Sequence, residues 1–121
     1  MDEAYPYQSL LRSNGMLALG TDFPVEKIDP MLTFYAAITR QDIDMYPEGG
    51  FIPEQRLSRK EALRGMTIWA AISNFEENEK GSLEINKFAD FVIMDIDLLN
   101  AAEEKIPGAK VIATYIDGEA V

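Results

Sequence analysis

Apolar and polar positions change their period several times along the chain, and each change marks an element. Leu10 and Leu11 run into Asn14-Gly15, which predicts a helix end, because glycine takes the left-handed conformation that closes a helix without strain. Met16-Leu17-Ala18-Leu19 is a short, continuously apolar run stopping at Gly20, the pattern of a strand covered on both faces. Asp29-Pro30 opens a helix: Asp caps the first turn, Pro fits the first helical position, and Leu32, Tyr35, Ala36 and Thr39 keep helical spacing towards Gln41.

Residues 42–57 hold Pro47, Gly49, Gly50 and Pro53 and read as a long excursion without regular structure, the kind of loop that is usually functional or mobile. Ser58 with Glu61 three positions on forms a capping box, and Leu63, Met66, Thr67, Ala70 and Ala71 give the next helix its apolar face. Beyond the acidic stretch ending at Lys80-Gly81 the period shortens. Phe88–Met94 and Lys110–Ile116 are rich in β-branched and aromatic residues and predict strands. Asp117-Gly118 is a two-residue hairpin signal, although only Glu119, Ala120 and Val121 follow it. The order strand, helix, helix, strands makes this an α/β chain with no internal repeat.

The chain has 121 residues, with 21 acidic against 11 basic ones and neither cysteine nor histidine. This is one domain's length, whereas a complete barrel of eight strand-helix units takes about 250 residues. Without histidine or cysteine the commonest metal ligands are missing, as are the Ser-His-Asp and Cys-His nucleophile systems. Residues 1–60 carry nine acids and six bases, and residues 61–121 twelve and five, so neither half forms a basic stripe. Nucleic acid is therefore not an expected partner, and an anionic membrane would repel this surface. No signal peptide or membrane-spanning run is expected. The expected location is cytoplasmic, although the absence of cysteine fits a reducing compartment and a disulfide-free exported protein equally.

The sharpest local feature is Gly20-Thr21-Asp22-Phe23-Pro24-Val25-Glu26, directly after the apolar run. A carboxylate at the C-terminal end of a parallel-type strand points into the crevice where α/β proteins bind ligands, and Asp22 there is suited to coordinating a metal and taking a proton from bound water. The competing local reading is a turn made by Thr21, Asp22 and Pro24, with Asp22 as its cap. Arg40 and Arg56 border the long loop and are candidates for bidentate binding of a substrate carboxylate. Asp95, ending Phe91–Met94, suggests a phosphoacceptor strand of receiver type, but no acidic pair ends an earlier strand. Asp95, Asp97 and Asn100 lack the glycine and closing glutamate of a calcium loop. Lys80-Gly81-Ser82 lacks the glycine spacing of a phosphate loop.

Taken together, Tyr5-Pro6, Ser9-Leu10-Leu11, Gly15, Leu17 through Glu26, Asp29-Pro30, Tyr35-Ala36-Ala37 and Thr39-Arg40 resemble the last barrel segment of the metal-dependent amidohydrolase superfamily, in its amidohydrolase family 3 branch. Glu54 through Ser58, Glu61-Ala62-Leu63, Thr67, Ala70-Ala71, Lys80 through Glu84, Ala89 through Ile93 and Asp117-Gly118 are similar to the same family's C-terminal signature, in the same order. Asn86 departs from the pattern, standing where the family usually has Gly, and Ile68-Trp69 is bulkier than usual.

The resemblance implies a hydrolase of carbon–nitrogen bonds on a (β/α)8 barrel, with a small β-sandwich formed by both chain ends. Residues 1–73 would be the last strand-helix segment of the barrel, and residues 74–121 strands of the sandwich. By position Asp22 would be the metal-site carboxylate that shuttles a proton. The remaining ligands, mostly histidines, would lie on earlier strands, so the chain reads as a C-terminal fragment. The implied cofactor is a divalent metal, zinc above all, which the fragment alone is not expected to retain. The implied substrate is a small amide-type molecule. The alternative is a non-catalytic regulatory or interaction module. A run covered on both faces needs parallel neighbours, so the isolated segment at 16–19 is expected to repack or to be covered by self-association.

Overall fold

A computed structural model describes residues 4–121. Helix α1 spans Tyr7–Asn14 and ends at Gly15, whose φ of 77° and N–H bond to Leu11 O close it in the way the sequence predicts. Helix α2, Pro30–Thr39, starts under the cap of Asp29, which accepts the Met31 amide at 2.9 Å. Six of its ten residues are buried, so it is the central element, and Phe34, Ala37 and Ile38 form the heart of the core.

Helix α3, Arg59–Met66, begins at the Ser58/Glu61 capping box, both halves of which are formed. The sequence predicts one helix here, but the structure breaks it at Thr67 and resumes as α4, Ile68–Ser73. The cause is long-range. Gly65 O accepts the Leu19 amide at 2.9 Å, so it is drawn out of the helical ladder. A β-carbon at Gly65 would lie 2.9 Å from Leu17 O, and only glycine allows the 17–19 segment to approach this closely.

That segment is a correction to the expected strand. Residues 16–20 have no regular secondary structure and pair with no strand, since no parallel neighbours stand beside them. Leu17 and Leu19 are half-buried against the core while Met16 and Ala18 are exposed, so one face is covered and the other is not. The segment lies against α3 through the Leu19–Gly65 bond.

Strands β1 (Phe91–Met94), β2 (Val111–Ile116) and β3 (Glu119–Ala120) form one antiparallel sheet in the order β1-β2-β3. Phe91 pairs with Tyr115, their rings stacked 4.6 Å apart, and the register slips between Ile93 and Met94. Asp117-Gly118 makes the predicted hairpin turn with φ of 50° and 80°, and Ala89 O and Asp90 Oδ1 hold its two amides. Residues 103–108, with no clear sequence signal, form a 3-10 helix that packs on α2 and places Ile106 in the core with no exposed surface. Asn86, where the family usually has Gly, has φ 73°, a conformation asparagine tolerates.

Candidate functional site

After Gly20 the chain turns through Thr21–Glu26. Thr21 Oγ1 accepts the Phe23 amide at 3.4 Å, and the Asp22 carbonyl accepts the Val25 amide at 2.9 Å. The turn therefore uses the Thr21 side chain and the Asp22 backbone. The Asp22 carboxylate does not cap it and has no hydrogen-bond partner among the described residues, while its backbone sits at a φ of 54° that Asp accepts more readily than most residues. A side chain with no structural employment, on a backbone of limited popularity, is available for chemistry.

Asp22 lines a groove of about 730 Å³ whose floor is the Leu32, Thr33 and Ala36 face of α2. Glu26 and Asp42 share the groove, as do two cations, Lys27 and Arg40. These carboxylates do not converge: no group of three or more His, Cys, Asp or Glu able to hold a metal ion occurs among the described residues. A metal would take Asp22 as one ligand and would need others from outside these residues.

The structure puts Arg40 in the groove wall and leaves Arg56 outside it. Arg40 is only 8% exposed, so it is not the surface side chain that its loop-edge position suggests. Its Nε donates to Phe51 O at 2.9 Å and its Nη2 to Ala4 O at 3.2 Å, with the guanidinium over the Tyr7 and Phe51 rings. Arg56 Nη2 donates to Gly49 O. Gly50, between these two arginines, has no room for a β-carbon, which would collide with Thr39 O. Gln41 Nε2 ties the same loop by donating to Met45 O at 2.7 Å and Pro47 O at 2.9 Å. The sequence reading did not find the aromatic members of the wall, Tyr5, Tyr7 and Phe51. Tyr7 and Phe51 are linked by one arginine and Tyr5 by its edge-on contact with Tyr7, relations visible only once the two segments are brought together.

The receiver-type reading of Asp95 is overturned. Its strand, β1, pairs antiparallel with β2, whereas a phosphoacceptor strand needs a parallel sheet, and Asp95 Oδ1 is taken by the Lys110 amide at 2.8 Å. Asp97 caps its own turn through the Leu99 amide and Asn100 Nδ2. Its carboxyl is held below the usual value, first by the Asn100 hydrogen bond and then by the Leu99 amide.

The model of the amidohydrolase family matches residues 1–121. The chain belongs to the amidohydrolase family. This amidohydrolase-family chain is 38% identical over 97% of its length to the protein LONG AFTER FAR-RED 3 of Arabidopsis thaliana, covering 20% of that protein. It is 28% identical over 94% of its length to an N-substituted formamide deformylase of Arthrobacter pascens, again covering 20% of the relative. The chain thus spans about a fifth of the length of the curated relatives it matches. No solved structure matches it. No helix among the described residues is long and apolar enough to cross a membrane.

Proposed function

We propose that this chain is the C-terminal part of a metal-dependent hydrolase acting on carbon–nitrogen bonds other than peptide bonds, in a small amide-type or cyclic amide substrate. Residues 1–73 then derive from the end of the catalytic barrel and residues 74–121 from its β-sandwich. The observation that carries the reading is the Asp22 carboxylate, unengaged by its own turn and facing the groove. The name of the formamide deformylase relative supplies the bond class. The exposed surface agrees: 8311 Å² for 13.6 kDa, where a compact monomer of this mass exposes about 6,600 Å².

A divalent ion, zinc by family resemblance, supplies an activated water when bound. Asp22 would offer one ligand oxygen and would serve as the proton shuttle, taking the proton from the attacking water and returning it to the amide nitrogen as the carbon–nitrogen bond breaks. The deciding experiment is Asp22→Asn in the full-length protein, assayed for amide hydrolysis. Turnover falls by at least about 10²-fold, the usual size of a lost acid-base group, with an unchanged melting temperature. Activity within a few fold of wild type rejects the role.

A further inference from the structure

One guanidinium organises the aromatic side of the Asp22 groove. Arg40 Cζ lies 4.9 Å from the Tyr7 ring centroid and 5.6 Å from that of Phe51. Tyr5 meets Tyr7 edge-on at 6.4 Å and 76°, which extends the row. Arg40 and Phe51 are also joined twice through the backbone of Phe51: its amide donates to Arg40 O at 2.8 Å, and its carbonyl accepts Arg40 Nε at 2.9 Å. The Nη2 bond to Ala4 O fixes the stretch leading into Tyr5 and Tyr7. The loop and the N-terminal segment are therefore held in the groove wall by the same side chain, while Phe51 and Tyr5 keep 39% and 69% of their surface exposed.

This arrangement suits an apolar occupant better than an anionic one. Two of the Arg40 nitrogens already serve backbone carbonyls, and Asp22, Glu26 and Asp42 line the same groove, where they would repel a carboxylate. We propose that Arg40 is a positioning residue that holds Tyr7 and Phe51 as an aromatic wall, and that this wall takes an aryl group of the substrate. The proposal rests on the reading of the groove as the substrate site, but it does not depend on Asp22 chemistry.

The test uses the 121-residue chain, with N-phenylformamide as the aromatic probe and N-methylformamide as the control, followed by NMR of the aromatic resonances. N-phenylformamide shifts Tyr7 and Phe51 saturably, and N-methylformamide does not. Arg40→Gln weakens the binding by about fivefold, on the scale of one aromatic contact, and speeds hydrogen exchange of the Phe51 amide. Arg40→Lys keeps the charge but offers a single nitrogen for two carbonyls, so it restores only part of the binding. Phe51→Ala keeps both backbone bonds: the amide at position 51 stays protected while probe binding is lost, which separates the wall from the latch even if Arg40→Gln does not fold. Absence of saturable shifts at Tyr7 and Phe51, or equal binding by Arg40→Gln and wild type, overturns the proposal. Probe shifts are read in the 121-residue chain and loss of turnover by Asp22→Asn in the full-length protein, so a failed wall and a failed catalytic role are told apart.

Discussion

Gly65 lies inside α3, yet its carbonyl accepts the amide of Leu19, 46 positions earlier in the chain, at 2.9 Å. This bond seats the segment leading to Asp22 on the helix, and the helix ends one residue on, at Met66. Packing of two segments thus decides both the location of the candidate site and the break in an otherwise continuous helical pattern.

Gly65→Ala tests that contact. The new β-carbon would sit 2.8 Å from Leu19 Cγ and 2.9 Å from Leu17 O, and a backbone atom cannot step aside cheaply. Crowding of this kind costs about 1–3 kcal/mol, against up to about 1 kcal/mol gained from alanine's helix preference. A net loss of about 1–2 kcal/mol is expected in urea unfolding, together with faster hydrogen exchange at Leu19. Gly108→Ala, with nothing within 4 Å of the added carbon, is the control and stays within about 0.5 kcal/mol of wild type. Equal stability of the two variants removes the close-approach explanation.

The elements read correctly from the sequence are those set by a few adjacent residues. Asp29-Pro30, Ser58 with Glu61 and Asn14-Gly15 act through hydrogen bonds within four positions, and Asp117-Gly118 through its own backbone conformation, so their meaning is local. Leu17 and Leu19 read as strand because their apolarity is compatible with one, but a ladder needs partners that periodicity does not supply. Ile106 gave no signal because its burial depends on α2, some seventy residues earlier. The Asp22 turn was legible as a candidate site and its aromatic wall was not. The wall is assembled by Arg40 across separations of 36 and 11 residues to Ala4 and Phe51.

The α3 cap should contribute to acid sensitivity. Burial alone would raise the Glu61 carboxyl, but hydrogen bonds from the Ser58 amide and hydroxyl and from Gln8, with Arg12 nearby, outweigh it and hold the value below normal. The folded carboxyl therefore titrates below the unfolded one. Its stabilising contribution is complete above about pH 4.3 and disappears as pH falls through the lower folded value. Ser58→Ala costs about 1 kcal/mol at neutral pH and flattens this acid limb. Parallel stability–pH curves for the two proteins between pH 3 and 6 would show that the cap is not the source.

Asp22→Gly separates backbone from carboxylate. Asp22 has φ 54°, where glycine is free of the roughly 1–2 kcal/mol penalty other residues meet, and its carboxylate makes no bond that the turn would lose. Stability should hold or rise by up to about 1 kcal/mol in the 121-residue chain, while the full-length protein loses turnover as it does with Asp22→Asn. A destabilised Asp22→Gly chain would mean that the carboxylate is structural.

The purified chain should hold no stoichiometric zinc. A single carboxylate is far short of the three or four protein ligands that retain the ion, and the described residues contain no further cluster. Elemental analysis after dialysis gives less than about a tenth of an equivalent, and chelator leaves the melting temperature unchanged. One equivalent surviving dialysis would require a site made by this chain alone.

The exposed surface leads to an expectation of self-association for the isolated chain. The 8311 Å² it exposes exceed the compact-monomer value by about 1,700 Å², about twice what one partner buries in a standard interface. Phe75 at 92% and Ile85 at 93% exposure mark apolar side chains without cover, and the edge of β1 carries unpaired backbone groups beside half-exposed Val92 and Ile93. On the proposed reading, further chain in the full-length protein would supply that cover. In isolation a second copy is the nearest apolar surface, so sedimentation velocity should show concentration-dependent dimers or larger species. Replacing Phe75 and Ile85 with Glu shifts the distribution towards monomer, because charge at those positions opposes burial without touching the core. A wild-type chain that sediments as a compact monomer at high concentration would show that the excess surface is stable in water and needs no cover.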